Sequence, residues 1–162
     1  MPSSETNDIA VLIAGLYNPE KKQRAMYTQK IAELGNKALP VLIPLLQDHD
    51  WRVRYRVAEA LSMIQSDDSV PDLIQTCHDE KDHVRYMAAK ALWALKSNDA
   101  LDTWIQLLGD EHPYTRGIAS DGLAVIHDNR GITPLKTAIS LEEIPELKER
   151  MIQNLNLLKK TD

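Results

Sequence analysis

A chain of 162 residues can bury a real core without staples, and its single cysteine, Cys77, excludes an internal disulfide and fits a reducing compartment. Hydrophobic residues make up 43% and charged residues 27%, which is ordinary for a soluble globular protein and unlike a disordered chain. The net charge of -5 disfavours wholesale binding of polyanions, although a local basic patch is compatible with it.

The N-terminal run IAVLIAGL, from Ile9 to Leu16, is too short to span a bilayer. It has no basic start before it and no small-residue cleavage site after it, so the expectation is a cytoplasmic chain with no signal peptide and no membrane association. Asn7 or Asp8 is placed to cap a helix beginning there. From Pro40 onward the sequence repeats itself with a period of 31 residues: PVLIPLLQDHDWRVRYRVAEALSMIQSDDSV, then PDLIQTCHDEKDHVRYMAAKALWALKSNDAL from Pro71, then DTWIQLLGDEHPYTRGIASDGLAVIHDNRGI from Asp102. Arg54 falls on Arg85 and Arg116, Asp48 on Asp79 and Asp110, and Leu61 on Leu92 and Leu123. Two degenerate units flank these, with Arg24 and Ile31 at the matching places before them and Lys148 and Leu155 after, each displaced by one residue. The predicted organisation is a single domain over 1–162 in about five units, at 8–39, 40–70, 71–101, 102–132 and 133–162.

Each unit reads as two helices. Leu42, Leu45 and Leu46 recur at helical spacing, echoed by Leu73 with Cys77 and by Trp104, Leu107 and Leu108. The second segment carries Val53, Val57, Ala58, Leu61 and Ile64, echoed by Val84, Ala88, Ala91, Leu92 and Leu95. The alternating arginines of WRVRYR first suggest a strand, but Ala58, Ala60 and Leu61 form no period-2 set. Aspartates between the two segments can cap the second helix, and polar runs such as QSDDS and HDNRG separate the units. Trp104 stands where other units have leucine and is assigned to packing. Trp93 is expected to fill a gap between units. The last helix, PELKERMIQNLNLLKK, turns Leu147, Met151, Ile152, Leu155 and Leu158 inward and leaves Leu157 as a small patch for self-association.

Arg54, Arg85 and Arg116 stand beside the apolar stripe in three successive units, each with an aspartate, Asp48, Asp79 or Asp110, six residues earlier. Phosphate binding would not require this constancy. A structural ladder would, with each guanidinium fork satisfying helix-end carbonyls and an aspartate in its own unit or the next.

Units of this length carrying D-x-x-x-x-V-R-x-x-A-A-x-A-L resemble HEAT repeats, most of all the short subtype named for phycobilisome lyases. Asp79, Val84, Arg85, Ala88, Ala89, Ala91 and Leu92 match in full; Asp48, Val53, Arg54, Ala58, Ala60 and Leu61 nearly so. The unit from Asp102 departs, with Thr115 for valine and with Gly117, Ser120 and Gly122 weakening its helix. The resemblance covers nearly the whole chain. It implies an all-α fold, a right-handed α-α superhelix (solenoid) whose second helices line the concave side.

Removing stripe and ladder positions leaves a variable face on the second helices: Trp51, Arg52, Tyr55, Arg56 and Glu59, then His83, Tyr86, Met87 and Lys90, then Tyr114, Ile118 and Asp121. Trp51, Tyr55, Tyr86 and Tyr114 are half of the chain's eight aromatics. Tryptophan, tyrosine, methionine and arginine are enriched at protein interfaces, so this face is predicted to bind a protein or peptide, making the chain a non-enzymatic scaffold or adaptor. The bland alternative is a solvated groove with incidental aromatics, or a surface for self-association. Lys21, Lys22, Arg52 and Arg56 at one end oppose Asp121, Glu146 and Glu149 at the other.

Other chemistry has little to stand on. Each histidine (His49, His78, His83, His112, His127) is followed by Asp, Val or Pro. The His-Glu dipeptides of the iron-binding HEAT-repeat hydroxylases are therefore missing, and neither metal nor cofactor is predicted. Cys77 occupies a leucine position and reads as a buried small hydrophobe. The subtype resemblance implies a second role, a lyase-like accessory handling bilins or phycobiliproteins, though no residue here can be assigned to it. Nucleic-acid binding through Lys21, Lys22, Arg52 and Arg56 is disfavoured by the acidic total. If the ladder is buried, Arg85→Ala loses about 3–5 kcal/mol in thermal or urea unfolding; an unchanged midpoint makes the arginine ornamental.

Overall fold

A computed structural model describes residues 4–160, and its helices form successive hairpins. In chain order α1 (Ser4–Ala14) packs on α2 (Lys21–Ala32), α3 (Leu39–Leu45) on α4 (Trp51–Ile64), and α5 (Val70–Thr76) on α6 (Asp82–Leu95). Next α7 (Leu101–Leu107) packs on α8 (Pro113–Ile126), and α9 (Ile132–Leu141) on α10 (Pro145–Leu158). No strand occurs among the described residues. Asn7 and Asp8 lie inside α1 rather than capping it, because the helix already starts at Ser4 in a stretch free of glycine and proline.

The second helices pack on one another in an unbroken series, α2 on α4, α4 on α6, α6 on α8 and α8 on α10, whereas each first helix packs chiefly on its own partner. The more closely spaced layer of a curved two-layer stack is the inner one, so α4, α6 and α8 form the concave side of an all-α superhelical repeat. Their length follows from the chain. The helices α3 and α5 are short, entered through 3₁₀ turns with proline in the first turn, where a missing N–H costs nothing. The helices α4, α6 and α8 run 14 residues each and stop at Gln65, Lys96 and His127, whose φ values of 56°, 52° and 51° are left-handed. Glycine usually takes that position, and a side chain there costs about 1 kcal/mol.

The core runs through the stack as one continuous cluster that includes Leu16, Ile31, Leu42, Leu61, Leu92, Trp104, Leu123 and Met151. Cys77 belongs to it and fills the place of Leu46 and Leu108. Trp93, expected to fill a gap between units, is instead 41% exposed. Leu92 already takes the inward position, and a step of about 100° carries the next residue off the core stripe. Leu157 also faces out.

The arginines do form a ladder, and its rungs cross from hairpin to hairpin. Arg54 donates Nε and Nη2 to the Asp79 carboxylate at 2.6 and 2.9 Å and Nη1 to the carbonyl of Asp48 at 2.8 Å. Arg85 repeats this with Asp110 at 2.7 and 3.2 Å and the carbonyl of Asp79 at 3.0 Å. Arg116 does so with Glu142 at 2.7 and 3.0 Å and the carbonyl of Asp110 at 2.9 Å. The same carboxylates also accept backbone amides, from Lys81 on Asp79, His112 on Asp110, and Glu143 and Ile144 on Glu142. They therefore shape the loop before each second helix rather than cap the helix itself; Asp50, which accepts the Arg52 amide, is a true cap. At the first rung the Asp48 carboxylate is held by the Tyr17 hydroxyl, while Arg24 spends Nη1 on the carbonyls of Asn18 and Pro19.

Gly122, read from sequence as weakening its helix, has a specific steric cause. A Cβ there would lie 2.4 Å from the Trp104 ring. In the two preceding units the paired positions hold Leu42 with Ala60 and Leu73 with Ala91, so one large-for-medium exchange is matched by one small-for-medium exchange. Gly117 likewise lets Leu147 and Arg150 of α10 approach α8, where a Cβ would meet them at 3.3 and 3.1 Å.

Two outcomes follow. Gly122→Ala loses about 1–3 kcal/mol by overpacking and Trp104→Leu loses a comparable amount, about 2–4 kcal/mol, by leaving a cavity. The double variant recovers most of both, which urea unfolding of the four proteins would read as strong non-additivity. Secondly, the Arg116 guanidinium holds the Glu142 carboxyl below its usual 4.5. Its stabilisation is therefore complete above that value and lost as pH falls through the lower folded-state value. Glu142→Gln unfolds at a lower temperature than the native chain at neutral pH and has a flatter acid limb when thermal unfolding is followed downward in pH.

Candidate inner-face binding site

The hairpin geometry brings the first turns of α4, α6 and α8 side by side on the concave face. Trp51 opens α4, His83 is the second residue of α6, Tyr114 is the second of α8, and His112 is the residue before α8. Their rings form a continuous row. Trp51 lies 5.8 Å from His83 at 62°, His83 lies 6.1 Å from His112 at 50°, and His112 lies 5.4 Å from Tyr114 at 47°. Tyr114 then meets Tyr86 at 6.3 Å and 56°. Inclined contacts of this kind suit the ring quadrupoles and leave ring edges and faces toward solvent. Tyr114 is 68% exposed and Trp51 36%, while Tyr55 and Tyr86 are half sunk against the core.

A single carboxylate organises the imidazoles. Asp82 lies 2.7 Å from Nδ1 of His83 and 3.6 Å from Nε2 of His112. The hydrogen bond from His83 is the main reason its carboxyl sits below the ordinary range. Nδ1 of His112 is buried without a hydrogen-bond partner among the described residues.

Several residues expected on the open face are placed otherwise. Arg56, Met87 and Ile118 are only 6%, 3% and 7% exposed. They share one repeat position, and in the first of the three it faces the preceding second helix: Nη2 of Arg56 reaches the Lys21 carbonyl on α2 at 3.4 Å. Arg56 also pairs with Glu59 at 2.5 Å and sits 5.4 Å from the centre of the Tyr55 ring. Arg52 folds back on Asp50 at 2.8 Å. Asp121 accepts from Arg150 and, at 2.7 Å, from Asn154, so it clamps α10 onto α8. Asn154 also donates to the buried Ser120 hydroxyl at 2.8 Å, which in turn donates to the Gly117 carbonyl at 2.8 Å. Among the candidate charges, Lys90 is exposed and makes no ion pair among the described residues. At the ends of the face Lys21 and Lys22 are exposed on α2, and Glu146 and Glu149 on α10.

His112 belongs to the row although sequence analysis did not select it. The signal available was its alignment with Asp50 and Lys81, a position whose chemistry changes in every unit. Cys77 is buried, and desolvation pushes its thiol well above the ordinary range, away from nucleophilic use. No group of three or more metal-ligating side chains converges among the described residues, and none of their helices is long and apolar enough to cross a membrane.

The sequence profile of HEAT repeats matches residues 9–86 and again residues 70–156. No curated protein matches the chain. Among solved structures, it is similar to a chain of the complex of CpcE and CpcF of phycocyanin lyase from Nostoc sp. PCC7120. The identity is 22% and the TM-score 0.80, over 92% of this chain and 98% of that one. It is also similar to a computationally designed armadillo repeat protein for modular peptide recognition, at 19% identity and TM-score 0.60, over 93% of this chain and 80% of the other. An engineered protein matches at 18% identity and TM-score 0.63, over 96% and 81% of the two chains. At these identities the likeness is one of fold.

Proposed function

The chain belongs to the HEAT-repeat family, and from that premise we propose that it is a non-enzymatic scaffold whose concave face binds a peptide or an extended segment of a protein. The observation that carries this reading is the row Trp51, His83, His112, Tyr114 and Tyr86, which crosses three consecutive second helices without interruption. Helices packed about 8–10 Å apart make that row roughly 20 Å long, the reach of about six extended residues. Rings supply large contact area at small entropic cost, and the rigid stack beneath holds them in place before a partner arrives. The likeness to an armadillo repeat protein designed for peptide recognition supports the same use of a helical stack.

A second reading has one observation in its favour. The match to the phycocyanin lyase chain extends over nearly the full length of both proteins. On that reading the chain is an accessory subunit of a lyase-like assembly, and mixing it with a bilin shifts the chromophore's absorption spectrum; an unchanged spectrum argues against it.

For the peptide reading, panning a random-peptide library on the whole chain enriches ligands that depend on the row. The exposed pair His83→Ala and Tyr114→Ala weakens them together by about tenfold or more, with helicity retained in circular dichroism. Undiminished binding to the double variant defeats the proposal.

A further inference from the structure

At the α2 end of the row a cleft of about 230 Å³ opens beside Trp51 and His83. Its other walls are Lys21 and Arg24 of α2 and Arg52, Tyr55 and Arg56 of α4. Four of these carry permanent positive charge, and they are not equally neutralised. Arg52 is matched by Asp50 and Arg56 by Glu59. Lys21 and Arg24 have no carboxylate partner among the described residues; the Arg24 fork spends Nη1 on main-chain carbonyls instead. Two uncompensated cations thus line a small aromatic-walled cleft in a chain whose net charge is -5. Charge placed between low-dielectric ring walls attracts an anion far more strongly than the same charge on open surface.

We infer that this cleft is an acidic-residue subsite, taking the side-chain carboxylate of an Asp or Glu in the peptide that lies along the inner face. The inference rests on the peptide-binding reading and names part of its specificity. A carboxylate is favoured over a polyanion by the far end of the same face. There Glu146 and Glu149 are exposed on α10. A nucleic-acid strand carrying one charge per nucleotide would be repelled as it ran toward α10. A peptide with one acidic residue at α2 and neutral or basic residues beyond it is accommodated throughout, and the asymmetry fixes its direction.

The test uses Lys21→Glu. Lys21 is exposed and is the first residue of α2, where a carboxylate also complements the helix dipole, so the variant keeps the fold. Peptides enriched from the random library on the native chain carry an Asp or Glu at a constant position. Replacing it by Asn or Gln weakens binding to the native chain by about tenfold, and raised salt weakens it too. The same replacement has almost no effect on, or improves, binding to the Lys21→Glu chain. Enriched peptides that bind through His83 and Tyr114 but tolerate loss of their acidic residue overturn the subsite and leave the groove standing. A library that yields no ligand at all removes both. An oligothymidine strand that displaces the peptide at lower concentration than free glutamate-containing peptide does also overturns the subsite in favour of a phosphate site.

Discussion

Three guanidinium groups lie nearly out of water in the seam between hairpins, and an arginine cannot shed its charge to escape the cost of being there. Arg54 and Asp79 are both about nine-tenths buried, and Arg85 with Asp110 is similar. Such a charge is tolerated only when a carboxylate meets it in plane and the remaining N–H groups find carbonyls. Each arginine therefore dictates where the next hairpin's loop must lie, to within a hydrogen bond. Since the same carboxylate shapes the loop that starts the next second helix, the rung also sets where that helix begins. Trp51, His83 and Tyr114 line up across the concave face because their helices begin in register, and the register comes from the buried pairs.

The fold was legible because this constraint repeats. Arg54, Arg85 and Arg116 recur at one interval, and the leucines of the stripe recur with them. The ends of the ladder were not legible for chemical reasons. Glu142 sits one residue out of register and uses a longer side chain to reach Arg116, and at the other end a phenol, Tyr17, takes the place of a guanidinium. The surface was harder to read than the core. On a helical wheel Arg56, Met87 and Ile118 look as outward as their neighbours, yet all three are buried in the stack. Asp121 looked free because its partners, Arg150 and Asn154, lie in the degenerate unit where counting by period fails.

What remains open on the inner face is narrower than composition implied, and more ordered. Most of its charges answer one another locally, which leaves the rings and a few end charges as the groups able to answer something else. Trp51, His83 and Tyr114 stand on the first turns of their helices, next to the rungs that anchor those turns. The backbone that carries them is held by packing, and this lowers the ordering cost of any contact they make.

The rungs and the Trp104–Gly122 contact also differ in how far they travel. An arginine on one hairpin and a carboxylate in the loop of the next make a universal joint, repeated at three successive junctions, so any hairpin bearing both could follow any other. The indole resting on a bare backbone is private to one hairpin, a lock and key cut together and useless apart. Genetic shuffling that moves whole hairpins would carry both halves of that match along, whereas shuffling single helices would part them. The unit that evolution or an engineer can copy, delete or transplant in this chain is thus the helical pair.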